Sequence, residues 1–300
     1  MDSLTKDLKK NYRAYLLFAP ALIFYIIFCY IPMGGLIISF MNYNPARGFF
    51  RSEWVGFKYF IEFFQSLFFI RLMRNTFLLN VYDIIFGFPI PIILALVLNE
   101  IFNIKFKAVI QTILYMPYFL SLVVLCGIVI TFTATEGVIN DFTSFLGFER
   151  VNLLMEAALF KPIFVISNIW QWAGWSSIVY VAALTGLDPE LYDAAYADGC
   201  GRFRRLIHVS IPGIMPVIII MLILRLGNLM SVGFEKVILL YNPLVMETAD
   251  VISSYVYRRG LLEANFSFAT AVGFFNSVLN FGFLWFANWL SRRINDQSLW

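Results

Sequence analysis

"AYLLFAPALIFYIIFCYIPMGGLIISF", Ala14 to Phe40, carries no charged side chain. Coiled as a helix at ~1.5 Å per residue, it is long enough to cross the ~30 Å hydrocarbon core of a bilayer. It exceeds the apolar region of a cleavable signal peptide, and bulky residues follow it where a small-residue cleavage site would stand. Lys6, Lys9, Lys10 and Arg13 precede it. The stretch reads as a retained first membrane span, and that reading sets the fold class for the rest of the chain.

The composition agrees. Of 300 residues, 60% are hydrophobic and 14% charged, whereas a soluble domain clothes itself with ~25% charged residues. Five more apolar stretches follow. Asn75–Asn99 is interrupted by Asp83 and by "FPIP" at Phe88–Pro91. Lys107–Thr133 has Pro117 within it. Pro162–Thr185 is the fourth span, Pro216–Val232 the core of the fifth, and Phe268–Leu290 the sixth, ending at Ser291, Arg292 and Arg293. No alternation of period two is visible, so helices rather than a closed barrel must satisfy the backbone in lipid. The expected fold is an all-α integral membrane bundle of six transmembrane helices. It comprises an N-terminal tail over 1–13, a membrane domain over 14–290 and a C-terminal tail over 291–300.

Lysines and arginines divide almost evenly between the two sides. The loops on the N-terminal side are shorter, so their basic density is higher, and four basic residues precede the first span. A multi-pass protein of the cell membrane with both termini cytoplasmic is expected. The outer loops, roughly 41–74, 134–161 and 239–267, are rich in aromatics and turn residues such as "NYNPARGFF" and "YNPLVMETAD".

Several chemistries are excluded. A net charge of +3 without a basic block argues against nucleic acid. Cys29, Cys126 and Cys200 are odd in number and far apart, which fits neither a disulfide framework nor a metal site. His208 is the only histidine and its nearest acid in sequence is Asp198, so no Ser–His–Asp triad or H-E-x-x-H site can be assembled. No G-x-x-x-x-G-K-[ST] occurs, and "GCG" at Gly199–Gly201 is a turn with no following Lys-Ser/Thr. The chain is not expected to be an enzyme, and no cofactor is expected in it.

One charged stretch lies between two of the most apolar segments: "GLDPELYDAAYADGCGRFRRLIHVSIPGIMP", Gly186 to Pro216. Asp188 is a candidate N-cap, Pro189 sits at the first helical position and Glu190 favours the positive helix end. Leu191, Ala194 and Ala195 share a face. Gly199 is placed to end the helix in a left-handed turn. A second, basic helix is expected over Arg202–His208, ending before Pro212. Spacing alone leaves two readings open: an interfacial loop whose arginines meet lipid phosphates, or a docking helix for a cytosolic partner.

The stretch resembles the cytoplasmic EAA loop of binding-protein-dependent ABC importer permeases, E-A-A-x-x-D-G-A-x-x-x-x-x-F-x-x-I-x-L-P. Asp193, Ala194, Ala195, Asp198, Gly199 and Pro212 fall in register with it. Asp193 replaces Glu, Cys200 Ala, Leu206 Phe, Val209 Ile and Ile211 Leu. "YLLFAPALIFYIIFCYIPMGGLIISFMNYN", "FKAVIQTILYMPYFLS", "GFEKVILLYNPLVMETADVISSYVYRRGL" and "FATAVGFFNSVLNFGFLWFANWLSRR" extend the likeness over nearly the whole chain, toward the LplB-type polysaccharide permease branch. The resemblance implies an ABC type I importer permease (MetI-like) fold with an EAA coupling loop over 186–215. It also implies a second permease subunit, two cytosolic ATPases that hold ATP and Mg, an extracellular solute-binding protein and an oligosaccharide substrate. Two other classes, a secondary transporter and a non-transporting assembly or signalling subunit, compete with it; the first would show repeated halves and no docking helix.

Sugars need hydrogen-bond partners for hydroxyls and aromatic faces for their C–H surfaces. "NIWQWAGWSSIVY" sets Asn168, Trp172 and Trp175 on one helical face, either as a substrate wall or as packing. By the resemblance, Arg225, Asn228, Leu229 and Val232 fall where related permeases contact sugar. An arginine within a span costs at least ~2.5 kcal/mol and needs a partner or a wet cavity. Arg225 is either ion-paired with Asp83 or Glu235, or receives the carboxylate of an acidic sugar. Asn276 and Asn280, four apart in the last span, read as interhelical glue.

Overall fold

The computed structural model describes Asp7 and residues 10–295; Lys6, Lys9 and residues 296–300 of the expected tails lie outside them. The chain forms two units, Met1–Gln65 with Arg259–Phe274, and Ser66–Arg258 with Phe275–Trp300.

In the first unit, α1 (Tyr12–Tyr25) continues through a π-helical turn, Ile26–Tyr30, and a 3₁₀ segment to Phe40. None of the α1 residues is buried, as suits an apolar helix facing lipid. Two short strands then pair antiparallel, β1 (Met41–Asn42) with β2 (Glu53–Trp54), Met41 opposite Trp54. This hairpin adds a small β element to the expected all-α fold. The sequence marked only turn residues there; Gly48, at φ +73°, belongs to the turn. Helix α2 (Lys58–Gln65) buries Tyr59 and Phe63, and the Tyr59 hydroxyl donates to Asn42 Oδ1 at 2.9 Å.

The second unit holds the long helix α3 (Phe69–Asn99), α4 (Ile104–Tyr115), α5 (Leu122–Thr133), α6 (Val138–Phe145) and α7 (Phe160–Thr185). Then come α8 (Pro189–Ala197), α9 (Arg202–Leu226), α10 (Phe234–Leu240) and α11 (Ile252–Tyr257). The last helix, α12 (Phe266–Asn295), begins in the first unit and ends in the second.

Five helices among the described residues are long and apolar enough to cross a membrane: Tyr12–Phe40, Phe69–Asn99, Leu122–Phe145, Arg202–Leu226 and Phe266–Arg293. The expected fourth span, α7, is 26 residues long but is not among them. Its buried residues include Ser167, Gln171 and Ser177 as well as Phe160, Phe164 and Tyr180. These polar residues on its buried side lower its hydropathy, although its length suffices to cross a bilayer.

Three further boundaries differ from expectation. The third span is broken: α4 ends at Tyr115, Met116–Phe119 is a 3₁₀ turn holding Pro117, and Ser121 caps α5 by accepting a hydrogen bond from the Val124 amide. The fifth ends early, at Leu226, and continues in turns. The expected basic helix over Arg202–His208 does not stop before Pro212; it is the first part of α9.

Three of the prolines within these helices are accommodated in the same way. The π-helical turns Ile26–Tyr30, Asp83–Gly87 and Leu206–Ser210 are followed two residues later by Pro32, Pro89 and Pro212. A proline lacks the N–H for its i−4 carbonyl and its ring presses on that carbonyl, which in all three cases lies within the π turn. The wider turn relieves both conflicts, so the helix bends instead of ending.

Helix α7 packs between two apolar clusters. One joins Leu79, Leu125, Phe160, Phe164, Val237 and Leu240. The other joins Ala95, Leu96, Tyr180, Leu184 and Ile214. Gly174 lets α7 meet α4 closely, because any Cβ there would run into the Leu114 carbonyl.

Candidate functional site

A cavity of about 660 Å³ opens in the second unit beside α7. Leu79, Asn80 and Asp83 reach it from α3, and Asn168, Gln171 and Trp172 from α7. Arg225 comes from the end of α9, Asn228, Ser231 and Val232 from the following turn, and Glu235 and Lys236 from α10. The π turn at Asp83–Gly87 and the early end of α9 both face this space, so the irregular backbone lies where polar groups line a cavity and not where lipid would meet it.

A chain of polar contacts crosses the cavity wall. Arg225 is ion-paired with Asp83. Asn168 Nδ2 approaches Asp83 Oδ1 at 3.5 Å, the outer limit of a hydrogen bond. Lys236 Nζ donates to Asn168 Oδ1 at 2.6 Å and lies 5.2 Å from the centre of the Phe164 ring. Lys236 is only 5% exposed, and this burial pushes its ammonium down to about 8.

Of the expected path residues, Asn168, Trp172, Arg225, Asn228 and Val232 line the cavity together. Two do not. Leu229 is buried in the turn after α9, because the chain has left the helical register that would have carried it inward. The Trp175 ring stacks on Tyr118 at 4.3 Å and 3°, held by the 3₁₀ turn at Pro117. Trp172 meets the same tyrosine edge-on at 5.1 Å. Arg225 takes the ion-pair reading, with Asp83 and not Glu235 as its partner. Lys236 was not among the expected path residues; the signal that could have found it is a lysine within the apolar run "FEKVILL". Asn280 ties α12 to the turn after α9 and not to a second helix: its Oδ1 accepts from the Met230 amide and its Nδ2 donates to Ser231 Oγ, each at 2.8 Å. Asn276 instead has a buried Oδ1 without a hydrogen-bond partner.

A second polar centre was not foreseen. The Asp250 carboxylate, 0% exposed, is held by Arg258 at 2.6 Å and Arg71 at 3.3 Å, and accepts from Ser254 Oγ at 2.7 Å. Asn75 Nδ2 donates to the Glu247 and Asp250 carbonyls, and Lys161 Nζ to Asn75 Oδ1. These contacts fasten the segment 247–258 to α3 and α7.

The charged stretch after α7 has the expected local form. Asp188 accepts from the Glu190 amide at 2.9 Å, with Pro189 at the first helical position. At the other end Gly199 stands at φ +72°. Its amide bonds the Tyr196 carbonyl and the Cys200 amide bonds Ala195, the paired bonds of a Schellman stop. Asp193, Ala194 and Asp198 are exposed and Ala195 half-buried. Helix α8 is tied to α9 by the hydrogen bond between the Tyr192 and Ser210 hydroxyls at 3.0 Å and by Arg205 lying 6.0 Å from the Tyr196 ring centre. Pro212, on α9, follows the π turn that carries the exposed His208.

Residues 87–296 match the family described as "Binding-protein-dependent transport system inner membrane component". Protein LplB of Bacillus subtilis (strain 168) is 42% identical over 293 residues, covering 97% of this chain and 92% of that protein. The polygalacturonan/rhamnogalacturonan transport system permease protein YteP of the same organism is 39% identical, covering 99% of this chain and 92% of that protein. A chain of the crystal structure of a bacterial ABC transporter involved in import of the acidic polysaccharide alginate is 43% identical. It superposes with a TM-score of 0.89 over 98% of this chain and 99% of that one. A related crystal structure holds the alginate transporter in complex with an alginate pentasaccharide-bound periplasmic protein. These likenesses set aside the secondary-transporter and assembly-subunit readings. The chain belongs to the binding-protein-dependent transport system inner membrane component family, as an ABC permease subunit and not an enzyme.

Proposed function

We propose that the protein is a transmembrane permease subunit of an ATP-driven importer of oligosaccharides, uronate-containing ones among them. The observation that carries this reading is the cavity. Trp172 offers an aromatic face, and Asn168, Gln171, Asn228 and Ser231 offer hydrogen-bonding groups for sugar hydroxyls. Polygalacturonan and alginate, named for two similar transporters, are both polyuronates, which supports an acidic substrate. A second permease subunit completes the path, and an extracellular binding protein delivers the sugar to the outer loops. Two cytosolic ATPases, which hold ATP and Mg, receive α8 through Asp193, Ala194, Ala195, Asp198 and Gly199. Both termini then face the cytoplasm. A short capped helix with a small-residue face enters a groove closely and transmits force as a rigid lever.

The test is to purify the chain with its partners and measure ATP hydrolysis. Copurification of an ATPase and stimulation by an oligogalacturonate presented with the binding protein are the expected results. A chain that recruits no ATPase refutes the coupling role, and stimulation only by neutral oligosaccharides refutes the acidic substrate.

A further inference from the structure

The cavity contains two cations, and the protein treats them differently. Arg225 is neutralised by Asp83 across α9 and α3. Lys236 is more deeply buried and has no carboxylate within ion-pairing distance among the described residues; its ammonium is answered only by the neutral Asn168 oxygen and the face of Phe164. Glu235 lines the same cavity but makes no ion pair with its neighbour; adjacent helical residues point in different directions. Three other arginines of the second unit are matched to acids: Arg71 and Arg258 share Asp250, and Arg150 meets Glu136 and Asp141. Lys161 also has no acid partner among the described residues, but it lies outside the cavity and donates to Asn75.

A buried ammonium without a counter-charge is costly to hold, and an arriving anion removes that cost. Asn168 fixes the ammonium on the cavity side of α7. Trp172 lies one helical turn further along the same face, ~5.4 Å away along the axis. A sugar ring stacked on Trp172 would carry its exocyclic carboxylate toward Lys236, which needs only to exchange the Asn168 oxygen for it. A neutral sugar would find the hydroxyl partners but leave the charge unanswered.

We propose that Lys236 is the specificity-determining residue that reads a carboxylate on the transported oligosaccharide, while Asp83 holds Arg225 out of that role. This deepens the proposed function and rests on it.

The experiment uses the complete transporter in lipid vesicles with its binding protein. It compares an oligogalacturonate with the same oligosaccharide after reduction of its carboxyls to alcohols, each at a binding-protein loading measured separately. Lys236→Gln is expected to raise the half-maximal concentration of the acidic probe by about tenfold or more, the size of one lost charge-assisted contact. The effect on the neutral probe should be several-fold smaller, and Lys236→Arg should restore the acidic response. Lys236→Met, which keeps the length of the stem, guards against a local packing defect in the glutamine variant. Equal effects on both probes, or none, overturn the proposal. So does failure of both the Gln and Met variants to assemble, which would make Lys236 structural. A wild-type transporter stimulated only by the neutral probe removes the acidic-substrate reading itself, and the role of Lys236 with it.

Discussion

Arg225 on α9 is ion-paired with Asp83, the first residue of the π-helical turn in α3. The pair joins two spanning helices at the cavity wall, with the arginine side chain 43% exposed and the aspartate 13%. Removing one partner strands the other beside apolar walls. Arg225→Gln is expected to destabilise the purified complex by on the order of 2 kcal/mol, between the ~0–1 of exposed pairs and the ~3–5 of fully buried ones. The combined change Arg225→Gln with Asp83→Asn should recover most of that. A heat-melting series of the three variants in detergent checks it, and a double variant less stable than Arg225→Gln alone contradicts the pairing.

Gly199 at φ +72° ends α8. Alanine is strained there by ~1–2 kcal/mol. Proline cannot adopt the angle at all and also loses the amide bond to Tyr196. Gly199→Pro should reach the membrane at normal abundance yet lose ATPase association, whereas Gly199→Asn should keep it. Copurified ATPase is the readout, and full association by the proline variant would end the docking role.

Trp172 and Trp175 should behave differently although they lie three residues apart. Trp172 faces the cavity, and Trp175 is stacked on Tyr118 outside its lining. Trp172→Ala should weaken substrate-stimulated hydrolysis by on the order of 1–2 kcal/mol, about five- to thirtyfold in half-maximal concentration. Trp175→Ala should lower the melting temperature and leave that concentration unchanged.

Asp250→Ala leaves Arg71 and Arg258 facing each other without their shared carboxylate. The expected cost is ~3–5 kcal/mol, felt first in the segment 247–258 that the acid anchors. Limited proteolysis should cut this segment in the variant and spare it in the wild type.

Cys200 lies directly after the turn that stops α8. With Cys29→Ala and Cys126→Ala in place, an impermeant maleimide should label it in inside-out vesicles and not in intact cells. Labelling of intact cells would reverse the proposed orientation.

The local features were legible because they depend on neighbours in sequence. Asp188, Pro189 and Gly199 bound α8 through capping bonds that span only a few residues. Apolar run length located most of the membrane helices, but the third run breaks at the Met116–Phe119 turn, and α7 reads as a span by length and not by hydropathy. Prolines were misread as stops at Pro212, because sequence shows the missing amide but not the π turn that absorbs it.

The register and partners of the long helices were not legible. Sequence alone determined that this chain is a helical membrane protein with a capped, charged helix between two apolar segments. Composition, run length and capping chemistry are local or additive properties, and they need no knowledge of what lies across the fold. Only the tertiary structure decided that Arg225 meets Asp83 and not Glu235, that Trp172 faces the cavity while Trp175 faces Tyr118, and that Lys236 holds a buried charge. Each of these outcomes depends on which faces of α3, α7, α9 and α10 meet in space, and a difference of one residue in where a helix ends turns a side chain by ~100°.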